Sequence, residues 1–141
     1  MIWKHAPAME LLKVKHKNTM IEHLGIEFVE IGPDFIRAKM PVDERTKQPD
    51  GILHGGASVV LAETLGSIAG WLCVDDPALQ SVVGVEINAS HLSMARSGEL
   101  IGEVRPLKIG KRVQVWDIKI SQKEKLVCQS RLTTMTINLR G

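Results

Sequence analysis

At 141 residues, 44% hydrophobic and 24% charged, the chain has the size and balance of one ordinary globular domain able to bury a core. Its 18 basic and 16 acidic residues are scattered along the whole length and leave a net charge of +2, without a polybasic tail or acidic block, which argues against a nucleic-acid partner. Cys73 and Cys128 are too few for a disulfide framework and lack CxxC spacing, as expected in a reducing compartment.

The stretch MIWKHAPAMELLKVKHK has no apolar segment followed by a small-residue cleavage site, so no secretory signal is expected and the expected compartment is the cytoplasm. Residues 8–24 place Met9, Leu12, His16, Met20 and Leu24 at helical spacing among Lys and Glu, which predicts one amphipathic surface helix stopped by Gly25. Two alternating runs, IEFVEI and FIRAKMPV, flank the turn residues GPD and predict a hairpin. Residues 42–53 are polar and rich in breakers, the composition of a loop. After a long apolar run and the interruption DDPALQS, segments 81–95, 98–108, 111–121 and 125–138 are rich in Val, Ile and Thr. They are divided at RSG, IGK and QKEK, which predicts a meander of antiparallel strands. Helix, two strands, long helix, four strands, with neither repeat nor linker, predicts a single α+β domain over residues 1–141.

The apolar run from Gly51 to Val74 holds a single charge, Glu63, near its centre. A bare carboxylate is costly in a dry core and in a bilayer alike, so it is paired, hydrated or in use. On a helix, Gly56, Gly66, Ser67 and Gly70 fall within about 60° of Glu63, while Leu61, Leu65, Ile68 and Leu72 cluster opposite, between about 140° and 200°. Each interior glycine costs a helix about 0.5–1 kcal/mol relative to Ala, so something is expected to approach this face. A second helix, a ligand beside Glu63 and a membrane span all fit such a face, as does a core carboxylate hydrogen-bonded to backbone; the strand-like flanks count against the span.

Gln48 and then LHGGA stand upstream, with His54 before two glycines at the expected helix start. A helix N-terminus carries unsatisfied N–H groups and partial positive charge, so the Gly55 N–H suits polarisation of a thioester or ester carbonyl. A carboxylate can then serve as nucleophile or as general base for water. Gly55 and Glu63 would lie about 12 Å apart along one helix, too far to serve one reacting centre, whereas an antiparallel pair of such helices across a dimer would bring the two together.

RTKQPDGILHGGASVVLAETLGSIAG, followed by VVGVEINASH, resembles the hotdog-fold acyl-CoA thioesterases. Within them it is most similar to the branch acting on aromatic and phenylacetyl-type CoA esters, and there to bacterial proteins of the dihydroxynaphthoyl-CoA thioesterase type from menaquinone synthesis. The likeness runs from MIWK to SRLTT. It implies a long central helix wrapped by an antiparallel sheet of about six strands, and homodimers or homotetramers with active sites at the dimer interface. Glu63 would be the nucleophile or general base, Gln48 would orient the thioester or water, and the Gly55 N–H would polarise the carbonyl. His54 would support that loop, Ser67 would assist the acid, and His91 would lie near the pantetheine or acyl pocket. Blander readings stay open beside these: a backbone-satisfied loop histidine for His54, a solvated loop residue for Gln48, a hydroxyl bonded one turn back for Ser67, and an ordinary strand residue for His91.

RPLKIGKR, with Arg105, Lys108, Lys111 and Arg112, and also Arg96, are candidates for the CoA phosphates, although a solvated hairpin turn bears such charges too. No GxSxG, GxGxxG, P-loop or HExxH motif occurs, and the dispersed histidines predict no metal; CoA enters only as part of the substrate. Two rival functions share the fold. A hydratase of acyl thioesters would need a differently spaced His and acid, and a non-catalytic acyl-CoA-binding module would keep the pocket and need no Glu63.

Overall fold

A computed structural model describes residues 1–5 and 9–139. Its elements are α1 (Met9–His16), α2 (Met20–His23), β1 (Glu27–Ile31), β2 (Ile36–Pro41), α3 (Gly55–Trp71), β3 (Gln80–His91), β4 (Glu99–Ile109), β5 (Val113–Gln122) and β6 (Lys125–Asn138). The six strands form one antiparallel sheet in the order β1-β2-β4-β5-β6-β3.

The stripe of Leu61, Leu65, Ile68 and Leu72 on α3 is buried, as its spacing predicts. It meets the inward residues of alternating strands: Ile36, Ala38 and Met40 of β2, Leu100 and Val104 of β4, Trp116, Ile118 and Ile120 of β5, and Leu132 of β6. α3 packs on every strand from β2 to β6, so the sheet curls around it. Two glycines permit the approach. A Cβ on Gly102 of β4 would lie 2.7 Å from the Leu65 side chain, and one on Gly66 of α3 would lie 2.5 Å from that of Leu132. No helix among the described residues is long and apolar enough to cross a membrane, which removes the span reading.

The N-terminal residues strap the far end of α3. Trp3 stacks on the buried Trp116 with ring centroids 6.4 Å apart, and its Nε1 donates to the Gly32 carbonyl at 2.6 Å. The Lys4 N–H donates to the Leu72 carbonyl at 2.8 Å, and a ring nitrogen of His5 lies 2.8 Å from the Trp71 carbonyl. Carbonyls that a helix C-terminus leaves orphaned are thereby satisfied.

Two expectations are corrected. The single helix over 8–24 is two helices, with Ala8 outside the described residues. Asn18 adopts a left-handed φ of 60° and Thr19 is extended, because α1 packs on β1 whereas α2 packs on α3, and one straight helix cannot lie against both. The meander holds only for β4, β5 and β6: β3 pairs along its length with β6, while β4 takes its place between β2 and β5. Residues 92–98, too long for a tight hairpin, carry the chain across to the other side of β5 and β6.

His16 is buried beneath α1 and stacks on Phe28 at 5.3 Å. Burial, with the neighbouring Lys15 charge, pushes its pKa below the usual histidine value. The native state therefore favours neutral His16, and the unfolded chain takes up its proton more readily, so stability falls as pH drops through about 6.5. The thermal midpoint is expected to rise between pH 5 and pH 7.5, and the rise to shrink in His16→Gln. A slope left intact by that substitution would assign the effect to other groups.

Candidate active site

The loop before α3 closes on itself and delivers the helix start. The His54 N–H donates to the Thr46 carbonyl at 2.8 Å, and Lys47 and Leu53 form an isolated antiparallel bridge. At its tip the Gln48 carbonyl accepts from the Gly51 N–H at 3.0 Å, with Gly51 at a φ of +78° that favours glycine, and the Gln48 Oε1 accepts from the Asp50 N–H. His54 is the N-cap of α3: its backbone is extended and its Nδ1 accepts from the Gly56 N–H at 2.7 Å. With Nδ1 accepting, the neutral ring carries its proton on Nε2. The Gly55 N–H makes no hydrogen bond among the described residues. A Cβ on Gly55 would lie 2.8 Å from the His91 Nε2, so the second imidazole sits directly against this glycine.

Glu63 lies two turns further along α3, exposed, with no ion pair among the described residues. On one side its carboxylate rests over Gly84 of β3. On the other opens a groove of about 360 Å³ between α2 and α3, lined by Met20, Ile21, Val59, Val60, Ser67 and Ile68. Ser67 shares this groove with Glu63, one turn on. The small-residue face is thus divided. Gly66 and Gly70 are covered by the chain's own Leu132, Val82 and Thr134, while Gly56, Glu63 and Ser67 stay accessible.

A β-bulge in β3 sets which residues look inward. Register with β6 shifts between Gly84 and Glu86. Before the bulge Gly84 pairs with the buried Thr134, and after it Ile87 and His91 pair with the buried Leu132 and Cys128, so the inward positions change from even to odd numbers. Glu86 is turned to the outer face beside Asn88, away from Glu63.

The structure gathers His54, Gly55 and His91 at the α3 N-terminus and sets Glu63 about 12 Å away along the same helix, with Ser67 one turn beyond it. Gln48 stays at its loop tip. Arg96 lies on the crossover beside the helix start, where the Ala95 carbonyl accepts from the Leu53 N–H at 2.8 Å. The other candidate cations are not brought there. Ile109, Gly110 and Lys111 border Cys73, Val74 and Asp75 just beyond the C-terminal end of α3, a helix about 24 Å long, and Lys108 and Arg112 belong to the same hairpin end. Arg105 pairs with Asp34 at 3.1 Å and Glu103 at 2.8 Å and lies over the Phe35 ring. Strand β4 carries its charges away from the helix start, because that hairpin returns at the opposite end of the sheet.

Residues not singled out from sequence are Gly84 and the groove walls Met20 and Ile21. An isolated glycine inside a strand run is a signal for a bulge or close approach and would have found the first. The walls carry no such mark, since their orientation follows from the break at Asn18.

Chemically, this is a polarising helix end and an available carboxylate beside an apolar groove. Burial pushes the Cys73 thiol up to about 11 and raises Cys128, so neither supplies a thiolate near neutral pH. No group of three or more His, Cys, Asp or Glu is placed to hold a metal ion among the described residues.

A long helix wrapped by a six-stranded antiparallel sheet is the hotdog architecture, and residues 50–129 match the family model described as the thioesterase superfamily; the chain belongs to that family. It is a thioester hydrolase. It is 53% identical to the 1,4-dihydroxy-2-naphthoyl-CoA hydrolase of Escherichia coli over 95% of this chain and 98% of that protein. It is 48% identical to the proofreading thioesterase EntH of Cronobacter turicensis over 95% of this chain and 97% of that one. Among solved structures, a Haemophilus influenzae thioesterase superposes with a TM-score of 0.95 at 48% identity, covering 100% of this chain and 98% of the other.

The cap makes a prediction. His54→Ala is expected to lower stability by about 0.5–2 kcal/mol, and His54→Asn, which restores a capping acceptor, to recover most of it. Denaturation midpoints of the three proteins measure this; equal losses in both variants would show that the ring contributes more than the cap.

Proposed function

We propose that the protein hydrolyses acyl-CoA thioesters carrying an aromatic or comparably bulky acyl group, of the 1,4-dihydroxy-2-naphthoyl kind, to the free acid and CoA. The observation that carries this is the accessible carboxylate of Glu63, without an ion pair among the described residues, beside an apolar groove able to hold an acyl group. The E. coli relative, named for that naphthoyl substrate, supports the acyl class. The same likeness supports a place in menaquinone synthesis, and the character of the N-terminal stretch and the sparse cysteines support the cytoplasm. No cofactor is required beyond the CoA part of the substrate.

The working site is formed by two copies. β3 is an edge strand with an exposed backbone edge, and Val83 and Val85 stand exposed on it, 40% and 59% accessible. Antiparallel pairing of β3 with its copy lays two α3 helices side by side in opposite directions, so Glu63 of one subunit meets the loop and helix start of the other. The unit is this dimer, alone or doubled to a tetramer.

The thioester carbonyl oxygen lies at the partner subunit's Gly55 N–H, where the helix end stabilises developing negative charge. The His54 cap holds that loop and Gln48 orients the thioester or the water. Glu63 acts on the carbonyl carbon, directly through a mixed anhydride that water opens or by taking a proton from an attacking water. Ser67 assists the acid. On the water route the tetrahedral species collapses with cleavage of the C–S bond, and the proton held by Glu63 passes to the CoA thiolate. On the anhydride route CoA leaves as thiolate and takes a proton from water, and a second water opens the anhydride to give the free acid and restore the carboxylate. His91 borders the acyl end near Gly55, and Arg96 is placed beside the helix start to meet CoA phosphate.

CoA release from benzoyl-CoA, a hydroxynaphthoyl-CoA and a medium-chain acyl-CoA tests the reading. Glu63→Gln is expected to lose about a thousandfold in kcat, about 4 kcal/mol of barrier, with substrate still bound, and the aromatic esters to be preferred. Full activity of the variant would return Glu63 to a structural role. A second prediction concerns assembly: inactive Glu63→Gln chains mixed with inactive Gln48→Ala chains are expected to regain part of the wild-type rate through hybrid dimers holding one intact site. No recovery under conditions that exchange subunits would place each site within one chain.

A further inference from the structure

On the helix-facing side of β3, the position of a Cβ on Gly84 is 3.0 Å from Glu63 Oε2, 3.4 Å from Glu63 Cδ and 3.7 Å from Leu132 Cδ1. The space left by the missing methyl is taken by the carboxyl group. Gly84 is absent from the residues with left-handed φ, so its backbone conformation does not call for glycine. Glycine weakens a strand interior, and although Gly84 borders the bulge its backbone conformation is open to other residues, so the close approach of the Glu63 carboxylate is what distinguishes the position. The bulge that follows keeps the Glu86 carboxylate on the other face of the sheet, so the residue beneath Glu63 is bare and uncharged.

We propose that Gly84 is a positioning residue of the active site: its bare Cα on the edge strand is the seat that sets where the Glu63 carboxylate stands relative to the acyl groove. This rests on the reading of Glu63 as the acting carboxylate. A methyl group at this position would push the carboxyl oxygen aside by a few tenths of an ångström. The displaced group is the free end of an exposed side chain, so the fold yields at little cost while the reacting geometry does not. A misplacement of about 1 Å can cost a hundredfold in rate, so about tenfold is expected from the smaller shift.

The test is Gly84→Ala in the full chain, alone and combined with Glu63→Asp, whose carboxylate is withdrawn by one methylene and no longer reaches the seat. With an aryl-CoA substrate, Gly84→Ala is expected to lower kcat about tenfold, leave KM within about twofold and leave the thermal midpoint within about 2 °C. In the Glu63→Asp background the same alanine is expected to change kcat less than about twofold, since contacting residues couple and separated ones add. Equal losses in both backgrounds, an unchanged kcat in Gly84→Ala, or failure of that variant to fold would each overturn the proposal. Should Glu63→Asp and Glu63→Gln both keep the wild-type kcat, the reading of Glu63 fails and the positioning role with it. Inactive Glu63 variants beside a fully active Gly84→Ala protein remove only the positioning role.

Discussion

The close approach of α3 to the sheet is the constraint from which the rest of the structure follows. Leu61 and Leu65 descend onto a strand that offers no side chain at Gly102, and Leu132 rises against a helix that offers none at Gly66. With bulk on one partner and none on the other at each crossing, the helix axis comes nearer the strands than two ordinary side-chain layers allow. A sheet so close must curl to keep its inward residues in contact, and α3 meets five of its six strands. The curl also limits the sheet. It covers the leucine stripe and the Gly66–Gly70 edge and stops at β3, leaving the Glu63 face of the helix outside.

At that limit the bulge in β3 determines which side chains face α3. A strand alternates with a period of two, so without the extra residue Glu86 would face α3 and His91 would face solvent. Two carboxylates would then crowd one helix face, each disfavouring the charge of the other. The bulge turns Glu86 outward, keeps Gly84 beneath Glu63, and brings the His91 ring against Gly55. One irregularity therefore shapes both ends of this helix face, and a Cβ at Gly55 or Gly84 would meet a side chain, His91 at the first and Glu63 at the second.

Much of this was legible in the sequence where the signal is local. The leucine stripe, the placement of His54 at the helix start and the position of Glu63 on an open part of the face follow from helical spacing and capping chemistry. The hairpin of β1 and β2 and the turns around β4, β5 and β6 follow from their breakers. What was not legible is non-local. Nothing in residues 8–24 tells that α1 must lie on β1 and α2 on α3, which is what breaks the periodic run at Asn18. Consecutive strands pair by default, so the insertion of β4 between β2 and β5 depends on the curled sheet as a whole. The cations of the β4–β5 hairpin stood as candidates for the CoA phosphates beside the reading of a solvated turn, because sequence does not reveal which end of the sheet a hairpin faces. Family resemblance supplied Gln48, whose loop position carries no chemical mark of its own.

The rigidity of α3 bears on how such an enzyme is built. Its N-terminal N–H and its carboxylate belong to one hydrogen-bonded rod, so neither a rotamer change nor a loop movement can close the about 12 Å between them. On the proposed reading a single chain thus holds two half-sites, which a second helix running in the opposite direction joins. The edge strand that would join the copies is the strand that already holds Gly84 against Glu63 and His91 against Gly55. On the proposed assembly, the pairing that protects an exposed edge also completes the site, so association and activity rise together with protein concentration. On that assembly β3 contributes twice over, through its inward residues and through the edge it presents.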